Sequence, residues 1–127
     1  MQFGYTILYV DDVAATLDFY GKAFAVPTRF LHDSGTYGEL ETGATALAFA
    51  SRTMLRELGK TPQPPVLAHP SGEIAFVTDD VPAAVERAVA AGATLVQAPK
   101  AMPWGQTIAY VGDVNGFLVE LCTPMAS

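Results

Sequence analysis

Two stretches of the chain share one pattern of apolar and polar positions: a short apolar run, then Asp-Asp-Val, then an alanine-rich segment. "YTILYVDDVAATLDFY" begins at Tyr5 and "EIAFVTDDVPAAVERA" begins at Glu73, an offset of 73 − 5 = 68 residues. In both alanine-rich segments the larger apolar residues recur at three- and four-residue intervals, the period of one helix face. Each stretch therefore predicts a strand followed by a helix, and the chain is predicted to be an internal repeat.

The residues at the predicted helix ends agree with this interpretation. Asp12 and Asp80 stand at the N-cap positions, where a carboxylate oxygen accepts a free backbone N–H and its charge suits the positive end of the helix. Pro82 falls in the first turn, where its missing N–H costs little. Gly92 is predicted to end the second helix.

After each predicted helix, three short apolar runs separated by Gly-containing turns predict three strands. They lie at about 28–33, 36–42 and 45–50 in the first half, and at about 94–97, 106–112 and 116–122 in the second. The predicted fold is therefore α+β, with two tandem βαβββ modules. Module one covers about 1–51 and module two about 72–127. The linker, about 52–71, begins as a short helix and becomes Pro-rich.

One helix can cover only one face of a module's sheet, so the other face must be covered or line a cavity. Side chains alternate between the faces of a strand, and the repeat places Tyr5 and Glu73 at equivalent positions. In "TALAFA", one face carries Ala46, Ala48 and Ala50. That all-alanine face is either the floor of a ligand pocket or a surface packed closely against a bulky neighbour.

Composition and charge exclude some classes of function. The chain has 127 residues, 50% of them hydrophobic, which is enough for one domain with a sizeable core. A net charge of −6 without a basic cluster argues against nucleic acid as a partner. No apolar run is long enough to span a bilayer, so we predict no membrane association. Cys122 is the single cysteine, which favours a cytoplasmic location.

The candidate chemistry lies first in two glutamates that interrupt apolar strands. Glu73 opens "EIAFV" and Glu120 stands inside "GFLVELC". They are metal ligands, an acid–base pair, or solvated strand ends. If both face one apolar cleft, burial and mutual repulsion separate their pKa values, and one holds a proton while the other is charged. That arrangement suits acid–base catalysis, or a cationic or hydroxyl-bearing ligand.

"AMPWGQ" provides a second candidate. Trp104 either stacks on a ligand ring or caps the core, and Gln106 is placed to supply a hydrogen bond at the same rim. The two histidines, His32 and His69, are predicted to face solvent. No Ser/His/Asp order and no Gly-rich phosphate loop point to a hydrolase or a nucleotide-binding protein.

Three segments resemble the vicinal oxygen chelate superfamily, also called the glyoxalase/bleomycin resistance/dioxygenase family. They are "YVDDVAATLDFYGKAF", "AAGATLVQAPKAMPWGQ" and "YVGDVNGFLVELCTP". The last is similar to the family's closing D-x-x-G-x-x-x-E-L pattern, here Asp113, Gly116, Glu120 and Leu121. The resemblance covers nearly the whole chain. It implies that the two βαβββ modules form a curled eight-stranded mixed sheet around a cleft.

The resemblance also maps the metal-facing positions of the metal-dependent members. There they are a His (or Gln), a Glu, a His and a Glu, and here they are Tyr5, Ala48, Glu73 and Glu120. A phenol loses its proton only near pH ~10, and a methyl group cannot ligate. Transition metals in such sites need three or more protein ligands, including nitrogen. We therefore expect no cofactor and no transition metal. The alternative is a divalent ion such as Mg²⁺ on Glu73 and Glu120.

The resemblance implies a protein that binds a small aromatic or amphipathic molecule in its cleft without a metal, and that forms a homodimer. The predicted ligand-binding residues are Tyr5, Ala48, Glu73, Trp104, Gln106 and Glu120. The alternative is a lyase or isomerase of the glyoxalase type, similar to lactoylglutathione lyase, with Glu73 and Glu120 as catalytic residues or weak metal ligands. A third interpretation is a degenerate member whose cleft is filled by its own side chains.

Overall fold

The computed structural model describes residues 1–125, so the last two residues of the predicted second module lie outside the described part. The chain divides into two compact units, which we call unit 1 (Met1–Pro64) and unit 2 (from Pro65 onward). Each contains one βαβββ module, which confirms the predicted α+β fold of two tandem modules. Among the described residues, no helix is both long and apolar enough to cross a membrane.

Unit 1 contains a four-stranded sheet and two helices. Its elements are β1 (Tyr5–Val10), α1 (Val13–Phe24), β2 (Thr28–Leu31), β3 (Tyr37–Leu40), β4 (Ala46–Ser51) and α2 (Arg52–Glu57). The strand order is β1-β4-β3-β2, with β1 parallel to β4 and the other neighbours antiparallel. The predicted cap of α1 is confirmed, since Asp12 Oδ1 accepts the N–H of Ala15 at 2.9 Å.

Helix α1 packs on one face of this sheet. The rings of Tyr20 and Phe49 are both fully buried, with their centroids 5.0 Å apart. Gly38 in β3 lies directly beneath α1, because a Cβ there would come within 2.6 Å of Leu17 Cδ1. The missing side chain lets the helix approach the sheet closely. The neighbours of Gly38 in β3 therefore point away from the helix.

Helix α2 is anchored to the end of β1 by a buried arginine. Arg52 is only 3% exposed. Its Nε donates to Asp11 Oδ1 at 3.0 Å and its Nη1 donates to the Tyr9 carbonyl at 2.6 Å. The guanidinium holds the pKa of Asp11 below its usual range, through this hydrogen bond and its charge. These contacts attach α2, the start of the predicted linker, to unit 1.

Unit 2 contains a four-stranded sheet and one helix. Its elements are β5 (Glu73–Val77), α3 (Val81–Ala90), β6 (Thr94–Ala101), β7 (Thr107–Gly112) and β8 (Leu118–Cys122). The strand order is β5-β8-β7-β6, with β5 parallel to β8. The cap on α3 is also confirmed: Asp80 Oδ1 accepts the N–H of Ala83 at 3.1 Å. Gly92, with φ of 116°, follows the helix end as predicted.

The prediction for β6 was wrong at its C-terminal end. The run was predicted to stop at residue 97, but the strand continues through Pro99 to Ala101. β6 is an edge strand, and its pairing with β7 is irregular between Gln97 and Lys100. A proline is tolerated at such a place because its missing N–H leaves no partner in the ladder unpaired.

The predicted turn between the last two strands is confirmed. Asp113 Oδ1 accepts the N–H groups of Asn115 and Phe117, both at 2.8 Å. Gly116 has a φ of 99°, a conformation that side chains other than glycine rarely adopt. This closed loop fixes the start of β8 and therefore the register of Glu120.

Candidate ligand-binding site

In unit 2 the two predicted glutamates lie on the same face of one sheet. Residues directly opposite each other on paired strands share a face. Glu120 in β8 lies opposite Ala75 in β5 and opposite Tyr110 in β7. Glu73 is two residues before Ala75, so it points to the same side. The two residues that flank Glu120 in β8 are buried against α3. We call the other face of this sheet, which carries Glu120, the open face.

A hydrogen bond joins two of these side chains. The Tyr110 hydroxyl donates to Glu120 Oε1 at 3.0 Å. Burial and this contact raise the pKa of Tyr110 to about 12, so the phenol remains a neutral donor at neutral pH. Partial burial, followed by the charge of Glu120 and a hydrogen bond between the two carboxyls, raises the pKa of Glu73. The two carboxyls therefore lie close enough to repel each other when both are charged.

The donors around Glu120 do not fit a transition metal. Cys122 shares its face, but burial and contact with Glu120 raise the pKa of this thiol, so it remains protonated. His32 and His69 are exposed, as predicted. Within residues 1–125, no three side chains of His, Cys, Asp or Glu come together as metal ligands. Two carboxyls, a neutral phenol and a neutral thiol offer neither nitrogen nor thiolate.

Unit 1 carries a different set of residues at the equivalent positions. Counted along the paired strands, Ala48 in β4 occupies the register position that Glu120 occupies in β8, as Tyr5 corresponds to Glu73. Ala48 is fully buried and offers no donor or acceptor in its side chain. Tyr5 lies at the edge of the sheet and is 62% exposed.

Sequence reasoning missed a carboxylate in unit 1. Glu39 in β3 lies opposite Ala48 and is only 6% exposed. Its Oε2 accepts a hydrogen bond from the Tyr37 hydroxyl at 2.7 Å, and burial together with Glu39 raises the pKa of Tyr37 to about 12. Glu39 occupies the register position of Tyr110, which was also missed. The alternation in "YGEL" around Gly38 was the available signal.

In unit 1 the face of the sheet opposite α1, which we call the open face of this unit, borders a pocket of about 670 Å³. Its lining includes Phe3, Tyr5, Arg29, Phe30 and Glu39. Ala46, from the predicted alanine face of β4, also lines this pocket. The volume falls in the range of small-molecule sites, roughly 300–1,000 Å³. Tyr5 is thus placed in a pocket together with a carboxylate that the sequence analysis did not consider.

The Trp-Gly turn holds an exposed ring. Trp104 is 58% exposed, and its indole N–H donates to Gln106 Oε1 at 2.7 Å. Gln106 is buried and donates from Nε2 to the Thr123 carbonyl at 2.9 Å. Gln106 therefore uses both ends of its amide to fix the indole, while more than half of Trp104 stays exposed.

The order of strand, helix and three strands is the same in both units. The profile of the Glyoxalase/Bleomycin resistance protein/Dioxygenase superfamily matches residues 2–121. The chain belongs to this superfamily. The resemblance of the three sequence segments is thereby confirmed, and the membership extends over both units.

Solved structures agree with the fold. A glyoxalase-related enzyme from Fulvimarina pelagi is 25% identical over 98% of this chain and 88% of its own, with a TM-score of 0.83. A glyoxalase/bleomycin resistance protein/dioxygenase family enzyme from Burkholderia phytofirmans PsJN is 21% identical over 94% and 96%, with a TM-score of 0.75. A third, from Nocardioides, is 18% identical over 100% and 85%, with a TM-score of 0.76. No curated protein is a significant match.

The carboxyl pair of unit 2 predicts a pH-dependent effect on stability. The folded-state pKa of Glu73 lies above its ordinary value of 4.5, so the stability that its proton contributes is complete below that value. It is lost as the pH rises through the folded-state pKa. Glu73→Gln keeps the hydrogen-bonding shape without the charge. The variant is expected to be more stable than wild type near neutral pH, by less than about 1 kcal/mol because the site is exposed.

Urea denaturation of both proteins at about pH 7 and about pH 4 checks this, since the difference should shrink to zero at the lower value. Glu86→Gln, at an exposed position on α3, is the matched control for the change in net charge. A difference between Glu73→Gln and wild type that does not vary with pH would contradict the raised pKa of Glu73.

Proposed function

We propose that this protein binds a small aromatic or amphipathic molecule carrying a hydroxyl group, on the open face of unit 2 and without a transition metal. The observation that carries the proposal is the set of oxygen donors around Glu120, which contains no imidazole and no thiolate. A carboxylate accepts a hydrogen bond from a ligand hydroxyl, and a protonated carboxyl can also donate one. The raised pKa of Glu73 makes its protonated form easier to reach than that of an isolated glutamate.

Neighbouring groups support a hydroxyl ligand. The Tyr110 hydroxyl occupies one oxygen of Glu120 and fixes the orientation of that carboxylate. Gln97 in β6 lies opposite Tyr110, and its Nε2 is buried without a hydrogen-bond partner in the described part of the chain. A buried N–H donor of this kind is normally satisfied. A ligand hydroxyl or a bridging water beside Tyr110 would satisfy it while donating to a carboxylate.

Trp104 provides the apolar contact in this proposal. Its ring is exposed and held at a fixed orientation by Gln106. Trp104→Ala is expected to weaken the binding of an aromatic alcohol such as 2-naphthol by about 2–10-fold, the value of one aromatic stacking contact. Calorimetric titration measures the change, and Trp104→Phe, which keeps a ring, should retain most of the affinity. If wild type and Trp104→Ala bind 2-naphthol with equal affinity, the indole is not part of the binding site.

The second candidate is a lyase or isomerase of the glyoxalase type. The raised pKa of Glu73 beside Glu120 favours it, because a carboxylic acid next to a carboxylate forms a general acid and a general base. An assay of the hemithioacetal of methylglyoxal and glutathione tests it. Turnover that is lost in both Glu73→Gln and Glu120→Gln would establish the enzyme in place of the binding protein.

We also propose a homodimer in the cytoplasm. Apolar side chains on two edge strands are exposed, including Tyr5 and Ile7 on β1 and Val77 on β5. Exposed apolar patches on edge strands are typical of surfaces that pair with another chain. The single cysteine favours a reducing compartment. Light scattering on the purified protein should give twice the mass of one chain, and a monomer at all concentrations would contradict the dimer.

A further inference from the structure

Glu39 is a buried carboxylate whose charge has little compensation. The side chain is 94% removed from solvent, as its exposure of 6% shows. Its hydrogen bond comes from a neutral phenol, that of Tyr37, and no arginine, lysine or histidine of the described residues forms an ion pair with it. A carboxylate out of water with one neutral donor is unfavourable unless a further partner reaches it.

The surroundings of Glu39 favour a partner with a positive charge and an apolar body. The pocket of about 670 Å³ that it lines is open to solvent and also lined by Phe3, Tyr5 and Phe30. The rings of Phe30 and Tyr37 pack together with their centroids 6.0 Å apart, so Phe30 is held in place. Aromatic faces attract organic cations, and the attraction adds to that of a nearby carboxylate.

The one basic residue of the pocket does not fill this role. Arg29 lies at the rim with about half of its side chain exposed, and its Nε is 4.0 Å from Glu41 Oε2. The buried charge of the pocket is therefore negative. An anionic ligand would have to approach Glu39, whereas a cationic one would neutralise it.

We propose that this pocket of unit 1 binds a small organic cation, with an ammonium group on Glu39 and an apolar body between the rings of Tyr5 and Phe30. Tyr37 holds the Glu39 carboxylate in place from its own strand. The inference rests on the proposed function only in that this protein binds small molecules. It names a second ligand chemistry, carried by residues of unit 1 alone.

Calorimetric titrations with two matched probes test it. Benzylamine is cationic at neutral pH, and benzyl methyl ether has the same ring with neither a charge nor the hydroxyl group proposed for the ligand of unit 2. Wild type is expected to bind benzylamine at least about tenfold more tightly than benzyl methyl ether, as is typical of a desolvated charge pair. Glu39→Gln, which can still accept from Tyr37, should abolish this preference. Glu57→Gln makes the same change of charge at an exposed position on α2 and should retain it.

A second variant and a second measurement support the titration. Tyr5→Leu should weaken the binding of benzylamine by about 2–5-fold, the size of one exposed cation–π contact. It should keep the preference for the cation. In wild-type protein, NMR should show shifts of the amides of Tyr37–Leu40 with benzylamine that benzyl methyl ether does not produce. That measurement decides the matter even if Glu39→Gln does not fold.

Three outcomes would overturn the inference: equal affinity of wild type for the two probes, a preference that survives in Glu39→Gln, or the absence of benzylamine-specific shifts in β3. If benzyl methyl ether binds as well as benzylamine, the cation pocket is refuted while small-molecule binding stands. If neither benzyl probe nor 2-naphthol binds, both proposals fail together.

Discussion

Phe49→Ala is expected to lower the free energy of unfolding by about 3–5 kcal/mol, the usual cost of removing a fully buried phenylalanine ring. Phe49 is completely buried in β4 and packs on Tyr20 of α1 with a centroid distance of 5.0 Å. Its loss leaves a cavity between the helix and the sheet. Neighbouring Ala48 and Ala50 are too small to fill that cavity, and they point to the other face of the strand.

Urea denaturation measures this effect, and the chain offers a matched control. Phe30→Ala removes the same ring from an exposed position of the same sheet, so it should cost about 1 kcal/mol or less. If the two variants are equally stable, then the α1 face of the sheet is not the core of unit 1. In that case the assignment of Glu39 to the opposite, open face would fail as well.

Glu120→Gln is expected to weaken the binding of 2-naphthol by about 10–100-fold, the range of one hydrogen bond to a charged acceptor. Gln keeps the size of the side chain and an acceptor for the Tyr110 hydroxyl, so the fold should be retained. What it removes is the negative charge that attracts a ligand hydroxyl and that helps to raise the pKa of Glu73. The stability of the variant should equal or exceed that of wild type near neutral pH.

Calorimetric titration gives the affinity, and Glu86→Gln on the surface of α3 is the control for net charge. Tyr110→Phe should have a smaller effect, because it loses the donor that orients Glu120 but keeps the carboxylate. Unchanged affinity in Glu120→Gln would mean that the open face of unit 2 is not where the ligand binds, whatever the state of the pocket in unit 1.

The parts of the fold that depend on local sequence could be predicted. Asp12 and Asp80 cap their helices because a short acidic side chain reaches a backbone N–H three residues ahead, and that reach does not depend on the rest of the fold. The repeat then supplied the order of elements. The end of β6 was predicted wrongly because a proline such as Pro99 is tolerated in an edge strand. Whether β6 is an edge strand depends on the whole sheet and not on the local sequence.

The sequence indicated one part of the candidate site and missed another. Glu73 and Glu120 were chosen because each interrupts an apolar strand, and the resemblance then related both positions to metal ligands of the superfamily. Glu39 and Tyr110 were missed because their place beside those positions follows from the pairing of β3 with β4 and of β7 with β8. Such a register depends on loop lengths and on packing between strands far apart in sequence.

Register also shows how the two modules differ. In unit 2 the carboxylate is on β8 and its tyrosine partner is on β7, whereas in unit 1 the carboxylate Glu39 occupies the β7-type position and Ala48 the β8-type position. Each module therefore keeps one tyrosine–glutamate hydrogen bond on its open face, with the acid moved by one strand. Neither arrangement provides the nitrogen ligands of a transition metal site.

A calorimetric titration of 2-naphthol into EDTA-treated, metal-free protein tests most directly whether this protein binds its ligand without a metal. The same titration is repeated after one equivalent of Zn²⁺ has been added. We expect the same dissociation constant in both experiments, and a dissociation constant about 10–100-fold larger for Glu120→Gln. Binding that appears only after Zn²⁺ is added, and that Glu120→Gln abolishes, would refute metal-free binding and place a metal at the carboxyl pair of Glu73 and Glu120.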